Sequence, residues 1–357
     1  MKTSHQMPLS LDVFIRKGCL VMKFLQFVFL LAVASMVGMS GSLQAGTVTF
    51  GSGANSFNME FVTIGNPGNA HDSLPSNFNA GSVGYTFQMG KYEVSESMFT
   101  KYSAEFGTAN NLGLGNFESY GPDKPGKWVS WNGAARFVNW LNTSTGGFAA
   151  YKFTSGGVND NIALWTASDV LDYDPLNPYR SKRATYVLPS YNEWHKAAFY
   201  DPTKNGGTGG YWTYATGSDS APTSVAFGTD PGTAVYGRGF SVPPADITLA
   251  GGLSAYGVMG MNGNIMEWEE SSFDLSNSDP TLPRAMRGGN WADSSAGSLR
   301  KDQGRGFIGP NQGGFLIGFR VAKLTSEGGG EVPEPSSLVI GALLGLGGML
   351  AKRRTKQ

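Results

Sequence analysis

The sequence predicts an α+β domain of irregular, turn-rich architecture, and three observations carry that prediction. Alternating β-type residues occupy 48–64 (Val48, Phe50, then Phe57, Met59, Phe61) and resume at Tyr85-Thr86-Phe87-Gln88-Met89, the two-residue period of half-buried strands. Apolar residues at helical spacing follow Ser95, Ser130 and Ser190, each placed as an N-cap. Glycine at 51 and proline at 18 of 357 residues assign much of the remainder to turns. No repeat of 20–50 residues is visible, which removes solenoids and propellers.

The elements follow in order. Arg16, Lys17 and Lys23 precede the apolar run Phe24 to Val37, and Leu43-Gln44-Ala45 offers a cleavage point before Gly46, so residues 1–45 read as a signal peptide. Met22 directly before Lys23 is an alternative start, and a retained membrane span is the competing reading of the run. The single cysteine, Cys19, lies in this segment, so the exported domain is expected to hold no thiol and no disulfide.

Past the two strand regions, the Ser95 helix buries Phe99, Tyr102 and Phe106. The Ser130 helix presents Ala134, Phe137, Val138 and Leu141 as one stripe and stops at Asn142-Thr143 with Gly146-Gly147. From Phe148 to Arg183 the chain reads as a solvated loop, because Asp169, Asp172, Asp174 and Asn177 lack the glycine and closing glutamate of an EF-hand. Ser190 to Glu193 spells a capping box. Trp194, Ala197 and Ala198 face inward, His195 is expected at the surface, and the helix ends before Asp201-Pro202. A turn-rich stretch, 206–252, is anchored by Tyr211, Trp212 and Tyr214.

Composition excludes several function classes. Lys plus Arg equals Asp plus Glu at 27 each, so no overall field draws nucleic acid. Gly121 to Trp128 nearly spells a phosphate-binding loop, but a tryptophan stands where a magnesium-holding hydroxyl belongs and two prolines restrict the amides. Only His71 and His195 follow the predicted cleavage point, which leaves too few imidazoles for a histidine-rich metal centre. No G-x-S-x-G elbow occurs.

The stretch Tyr256 to Glu269 concentrates glycines, asparagines, a carboxylate and an indole. Glycine permits positive φ, and such a loop can aim Gly263 O, Ile265 O and the Glu267 carboxylate at a calcium ion; equally, it can be a buried turn whose Glu267 satisfies protein donors. The stretch resembles the Y-G-L-x-N/D-x-x-G-N-x-W-E-W motif of the formylglycine-generating enzyme (sulfatase-modifying factor) family. Other blocks match in the same order: Tyr92-Glu93-Val94-Ser95, Val129-Ser130-Trp131, Leu188-Pro189-Ser190 through Glu193-Trp194, Arg287-Gly288-Gly289-Asn290-Trp291, and Ile317-Gly318-Phe319-Arg320. The resemblance spans about residues 57–323 and implies an irregular, C-type-lectin-like α+β domain over 46–326. Glu193, Trp194, Asn264, Trp268, Arg287, Gly288, Gly289, Trp291 and Arg320 are its motif residues here.

Enzymes of that family bind copper through two cysteines that follow R-G-G and oxidise a target cysteine. Those two places fall on Asp293 and Ser298, hard oxygen donors, so the resemblance implies neither copper nor formylglycine formation here. Met266 replaces the first tryptophan of W-E-W, and Gly260 replaces a side-chain calcium ligand. Arg287 and Arg320 are expected to tie loops together, and Trp131, Trp268 and Trp291 to lie in the core rather than stack on sugars.

At the C-terminus a Gly-rich linker (327–331) leads into Val332-Pro333-Glu334-Pro335, an apolar helix (338–351) and Lys352-Arg353-Arg354. Residues 332–357 resemble the bacterial PEP-CTERM sorting signal, which implies cleavage near Pro333 by an exosortase-type enzyme of a Gram-negative bacterium; a plain membrane anchor is the alternative. The run spans about 22 Å against about 30 Å of hydrocarbon, short for a permanent anchor. Either version leaves the domain outside the cytoplasm. The expectation is an exported, non-catalytic binding module for extracellular polysaccharide or a surface protein. Its rivals are an enzyme using Asp293, Ser298, Arg300 and Asp302 in the family's cavity, and a structural matrix component.

Overall fold

The computed structural model describes residues 46–73, 79–106, 119–157, 160–303 and 306–325. The predicted signal peptide, the Gly-rich linker and the C-terminal sorting segment with its apolar helix lie outside them. Among the described residues no helix is long and apolar enough to cross a membrane.

Two sheets organise the domain. The first contains β1 (Gly46–Phe50), β2 (Phe57–Ile64), β3 (Phe87–Gly90), β4 (Tyr186–Val187) and the last described strand, Ala322–Leu324, in the order β1-β2-β3-last-β4. All its pairings are antiparallel, with Phe61 opposite Gly90 and Ala322 opposite both Met89 and Val187. Short pairs follow along the chain: β5 (Tyr200–Asp201) with β6 (Gly210–Tyr211), and β7 (Thr223–Ser224) with β8 (Thr233–Ala234). The second sheet is built from β9 (Met266–Ser272), β10 (Arg284–Arg287), β11 (Gly306–Ile308) and β12 (Ile317–Gly318), in the order β11-β10-β9-β12; the last described strand, β13, is the Ala322–Leu324 segment of the first sheet.

The predicted helices form where their caps place them. In α1 (Glu96–Phe106) the Ser95 Oγ accepts the Met98 amide at 3.3 Å. In α2 (Trp131–Ser144) the Ser130 Oγ accepts the Gly133 amide at 3.0 Å, and Ala134, Phe137, Val138 and Leu141 are fully buried. In α3 (Tyr191–Phe199) the capping box closes both ways: Ser190 Oγ accepts Glu193 N at 3.3 Å, and Glu193 Oε2 accepts Ser190 N at 2.6 Å. Phe99 and Phe137 meet at 5.1 Å between ring centres and Phe319 packs on both, so the core joins the first two helices to the segment before the last described strand.

Two expectations need correction. Asn142 does not stop α2; it lies inside the helix, buried, and uses all four of its hydrogen-bonding positions as a clamp. Its Oδ1 accepts the amides of Thr185 and Tyr186, both at 2.9 Å, while Nδ2 donates to Val138 O and Tyr186 O, which fixes β4 against the helix. The stretch 148–183 is irregular, but it is not merely a solvated loop. Asp172 is buried against Ser181 and Arg183, the latter at 2.7 Å, and Asp169 pairs with Lys152 at 2.8 Å. These carboxylates fasten the loop to itself.

Candidate functional site

The stretch Tyr256 to Glu269 runs through the middle of the domain and ends in β9. Gly263 adopts φ +82°, and a Cβ there would sit 2.2 Å from Val235 O, so only glycine fits. The next residue, Asn264, is also left-handed at φ 57°, and its buried amide bridges two remote segments: Oδ1 accepts Ala245 N at 2.9 Å and Nδ2 donates to Glu93 Oε2 at 2.9 Å.

Glu267 lies at the start of β9 with no exposure. Arg320 donates to it twice, Nε to Oε2 at 2.6 Å and Nη2 to Oε1 at 2.5 Å, and Trp194 Nε1 adds a third bond at 2.8 Å. The same guanidinium donates to Gly90 O and Met259 O, so Arg320 ties loops together, as expected. This donor set does not fit calcium. Both Glu267 oxygens are engaged, and Arg320 already supplies the positive charge that the ion would bring. The neighbouring carboxylate with a spare oxygen, Glu93 Oε1, is pushed toward its neutral form by burial and by the charge of Glu267. Among the described residues no group of three or more His, Cys, Asp or Glu side chains gathers. Of the Gly263, Ile265 and Glu267 segment, the carboxylate is thus taken by Arg320 and Trp194.

Glu267 is the first of three. Along β9, Glu267, Glu269 and Glu270 are all buried, and each meets an arginine from elsewhere: Arg320, Arg287 at 3.2 Å, and Arg180 at 2.8 Å. Trp268 and Trp131 are buried between them, with Trp268 Nε1 on Val129 O and Trp131 Nε1 on Glu269 O; with buried Trp291, all three indoles are core. Arg180 and Glu270 were not singled out from sequence. The available signal was the run Glu267-Trp268-Glu269-Glu270 itself, because carboxylates next to a core tryptophan require cationic partners.

His195 is not at the surface, contrary to its expected place. It has no exposure, because α3 is buried on nearly every side and has no solvent face to offer. Its Nε2 lies 3.0 Å from Asp72 Oδ2 and its Nδ1 lies 2.7 Å from Arg287 Nη1. Arg287 has only protons to give, so Nδ1 accepts and Nε2 carries the hydrogen toward Asp72. Burial, helped by Arg287 and Lys301, lowers the imidazole to about 3 despite Asp72. Burial alone would raise Asp72, but its bonds to His195 and Lys301 hold it at about 2.

Arg287, Gly288 and Gly289 line a cavity of about 190 Å3, with Trp194, Asp293 and Ser298. Asp293 and Ser298, onto which the resemblance places the family's two thiols, thus share one cavity, but each side chain serves its own loop. Asp293 Oδ2 accepts the Asn290 amide at 2.9 Å, and Ser298 Oγ donates to Ser295 O at 2.8 Å. Arg300, on the same wall, is held by Asp302 through two bonds of 2.8 Å.

Residues 41–325 match the family model described as the sulfatase-modifying factor enzyme 1-like domain. No curated protein matches the chain. Among solved structures, Treponema denticola variable protein 1 aligns at 20% identity with a TM-score of 0.52, covering 79% of this chain and 100% of that one, a likeness of fold. PvdO from Pseudomonas aeruginosa aligns at 16% identity over 80% of this chain and 100% of its own, with a TM-score of 0.45. CarF aligns at 20% identity over 79% and 97%, with a TM-score of 0.42.

Proposed function

Because the chain belongs to the sulfatase-modifying factor enzyme 1-like family, we propose that it is a non-catalytic member that binds extracellular polysaccharide at the cell surface, after export and C-terminal sorting. The carrying observation is the state of the two thiol positions: Asp293 and Ser298 are spent on backbone groups of their own loops, in a cavity that copper would need to share with soft ligands. A family member without the two thiols can bind a ligand without turning it over. The charge balance of the chain and its sorting-signal resemblance support a ligand outside the cell that is not a nucleic acid.

The test uses the full chain in detergent, in affinity electrophoresis against polysaccharide shed by the bacterium that makes it, with a parallel assay for formylglycine in a cysteine-containing peptide. Retardation without formylglycine is expected. Formylglycine formation, or migration unaltered by any polysaccharide fraction, overturns the proposal.

A further inference from the structure

A second cavity, of about 350 Å3, shares no lining residue with the Asp293 cavity. Tyr85, Asn177, Arg180, Asn192 and Asn277 contribute its polar wall. Beneath that wall runs a continuous hydrogen-bonded chain: Asn277 Nδ2 donates to Asn177 Oδ1 at 2.8 Å, and Asn177 Nδ2 to Glu270 Oε2 at 2.6 Å. Arg180 then bridges Glu270 at 2.8 Å and Glu193 at 3.0 Å, and Tyr85 donates its hydroxyl to Glu193 Oε1 at 2.6 Å. The carboxamides and the phenol are thereby held in fixed orientations, the preorganisation that recognition of hydroxyl groups requires.

The loop that delivers Asn277 is strained. Leu275 has φ 62° and Asn277 φ 50°, left-handed conformations in which a leucine Cβ meets its own backbone. Reciprocal bonds keep them there: Ser272 N donates to Asn277 Oδ1 and Asn277 N to Ser272 Oγ, each at 2.9 Å. Leu275 lines the cavity, and so does Leu176, which is 90% exposed. An aliphatic side chain left in water beside an ordered amide wall suits a ligand with one apolar and one polar face.

Charge selects the ligand class. The charged residues of the lining are Asp174, Arg180 and Lys182. Arg180 is consumed by two buried carboxylates and the Leu188 carbonyl, while Lys182 donates to Val170 O. Among the described residues of the lining, the Lys182 ammonium is matched in sign by the Asp174 carboxylate, and Arg180 is outnumbered by its two carboxylates, so the wall carries no net positive charge to prefer an anion. We propose that this cavity binds a neutral pyranoside, with Asn177 and Asn277 meeting its hydroxyls and Leu176 and Leu275 covering its ring face. The inference rests on the polysaccharide-binding reading and gives it a site and a sugar class.

Ligand-observed NMR and calorimetry on the full chain, with cellobiose, maltose and lactose as neutral probes and glucuronic acid as the charged one, test it. Leu176→Ser is expected to fold unchanged because the side chain is exposed, and to weaken neutral-disaccharide binding about threefold or more. Asn277→Ala is expected to weaken it about tenfold. Unchanged binding in both variants, or a preference for glucuronic acid, overturns the assignment. If the chain binds shed polysaccharide but none of the neutral disaccharides, the site fails and the broader reading stands; if it binds neither, both fail.

Discussion

At the scale of single residues, His195 is expected to make this domain sensitive to acid. Its folded value of about 3 lies below the ordinary 6.5, so on acidification the unfolded chain takes up a proton first and the equilibrium moves toward unfolding. The stability it contributes is complete above pH 6.5 and is lost as pH falls from there toward 3. Asp72, lowered from 3.8 to about 2, adds a loss of the same sign in the window below. Replacing His195 by Gln removes the imidazole titration while leaving a donor and an acceptor for Asp72 and Arg287. Urea denaturation at pH 7, 5 and 4 is expected to show a steep decline in the parent, on the order of several kcal/mol, and a markedly flatter one in the variant. Equal slopes would remove His195 as the cause. This residue was not legible in sequence, where one histidine on a short helix gives no sign that Asp72 and Arg287, both far along the chain, close on its two nitrogens. Arg287 and Arg320 were legible, because arginine beside a glycine turn has few partners but carboxylates and carbonyls.

The elements show which interactions the local sequence encodes and which it only permits. Capping is local, so Ser95, Ser130 and Ser190 announced their helices correctly. What the sequence could not announce is that Glu193 has a second occupation. Besides closing its capping box it holds Arg180 and Tyr85, and Arg180 keeps its carboxyl at about 2 although burial pushes the other way. Two substitutions therefore separate the roles. Ser190→Ala removes only the cap and is expected to cost about 1 kcal/mol. Glu193→Gln keeps the shape and leaves Arg180 paired with Glu270, but it loses the charge-assisted bonds from Arg180 and Tyr85, at a cost of roughly 2–3 kcal/mol. Chemical denaturation of both reads the order directly; a Ser190→Ala loss equal to or larger than that of Glu193→Gln would show that Glu193 acts only as a cap. The same logic explains β9, whose Glu267, Glu269 and Glu270 read as polar in sequence and are buried because three arginines from three other segments reach them.

On the scale of the whole molecule, the chain closes on itself through its last described strand. β13 lies between β3 and β4, and Arg320, two residues before it, fixes Glu267 of the other sheet together with the carbonyls of Gly90 and Met259. The α+β class was legible from periodicity and turn content, but the strand order was not, because β4 and β12 are two residues long and carry no pattern of their own. Since the Arg320 guanidinium does what a bound cation would do at Glu267, closure is expected to need no metal. A chelator should leave the melting temperature of the domain unchanged. Arg320→Met, which strands Glu267 in the interior, should lower stability by about 3–5 kcal/mol, while the double variant Arg320→Met with Glu267→Leu should recover a large part of that loss, since no charge is then left unpaired. The two measurements bear on each other. A melting temperature that falls with chelator, combined with a mild effect of Arg320→Met, would mean that an ion and not the arginine compensates Glu267; an unchanged melting temperature with a severe single and a rescued double variant assigns the closure to the ion pair.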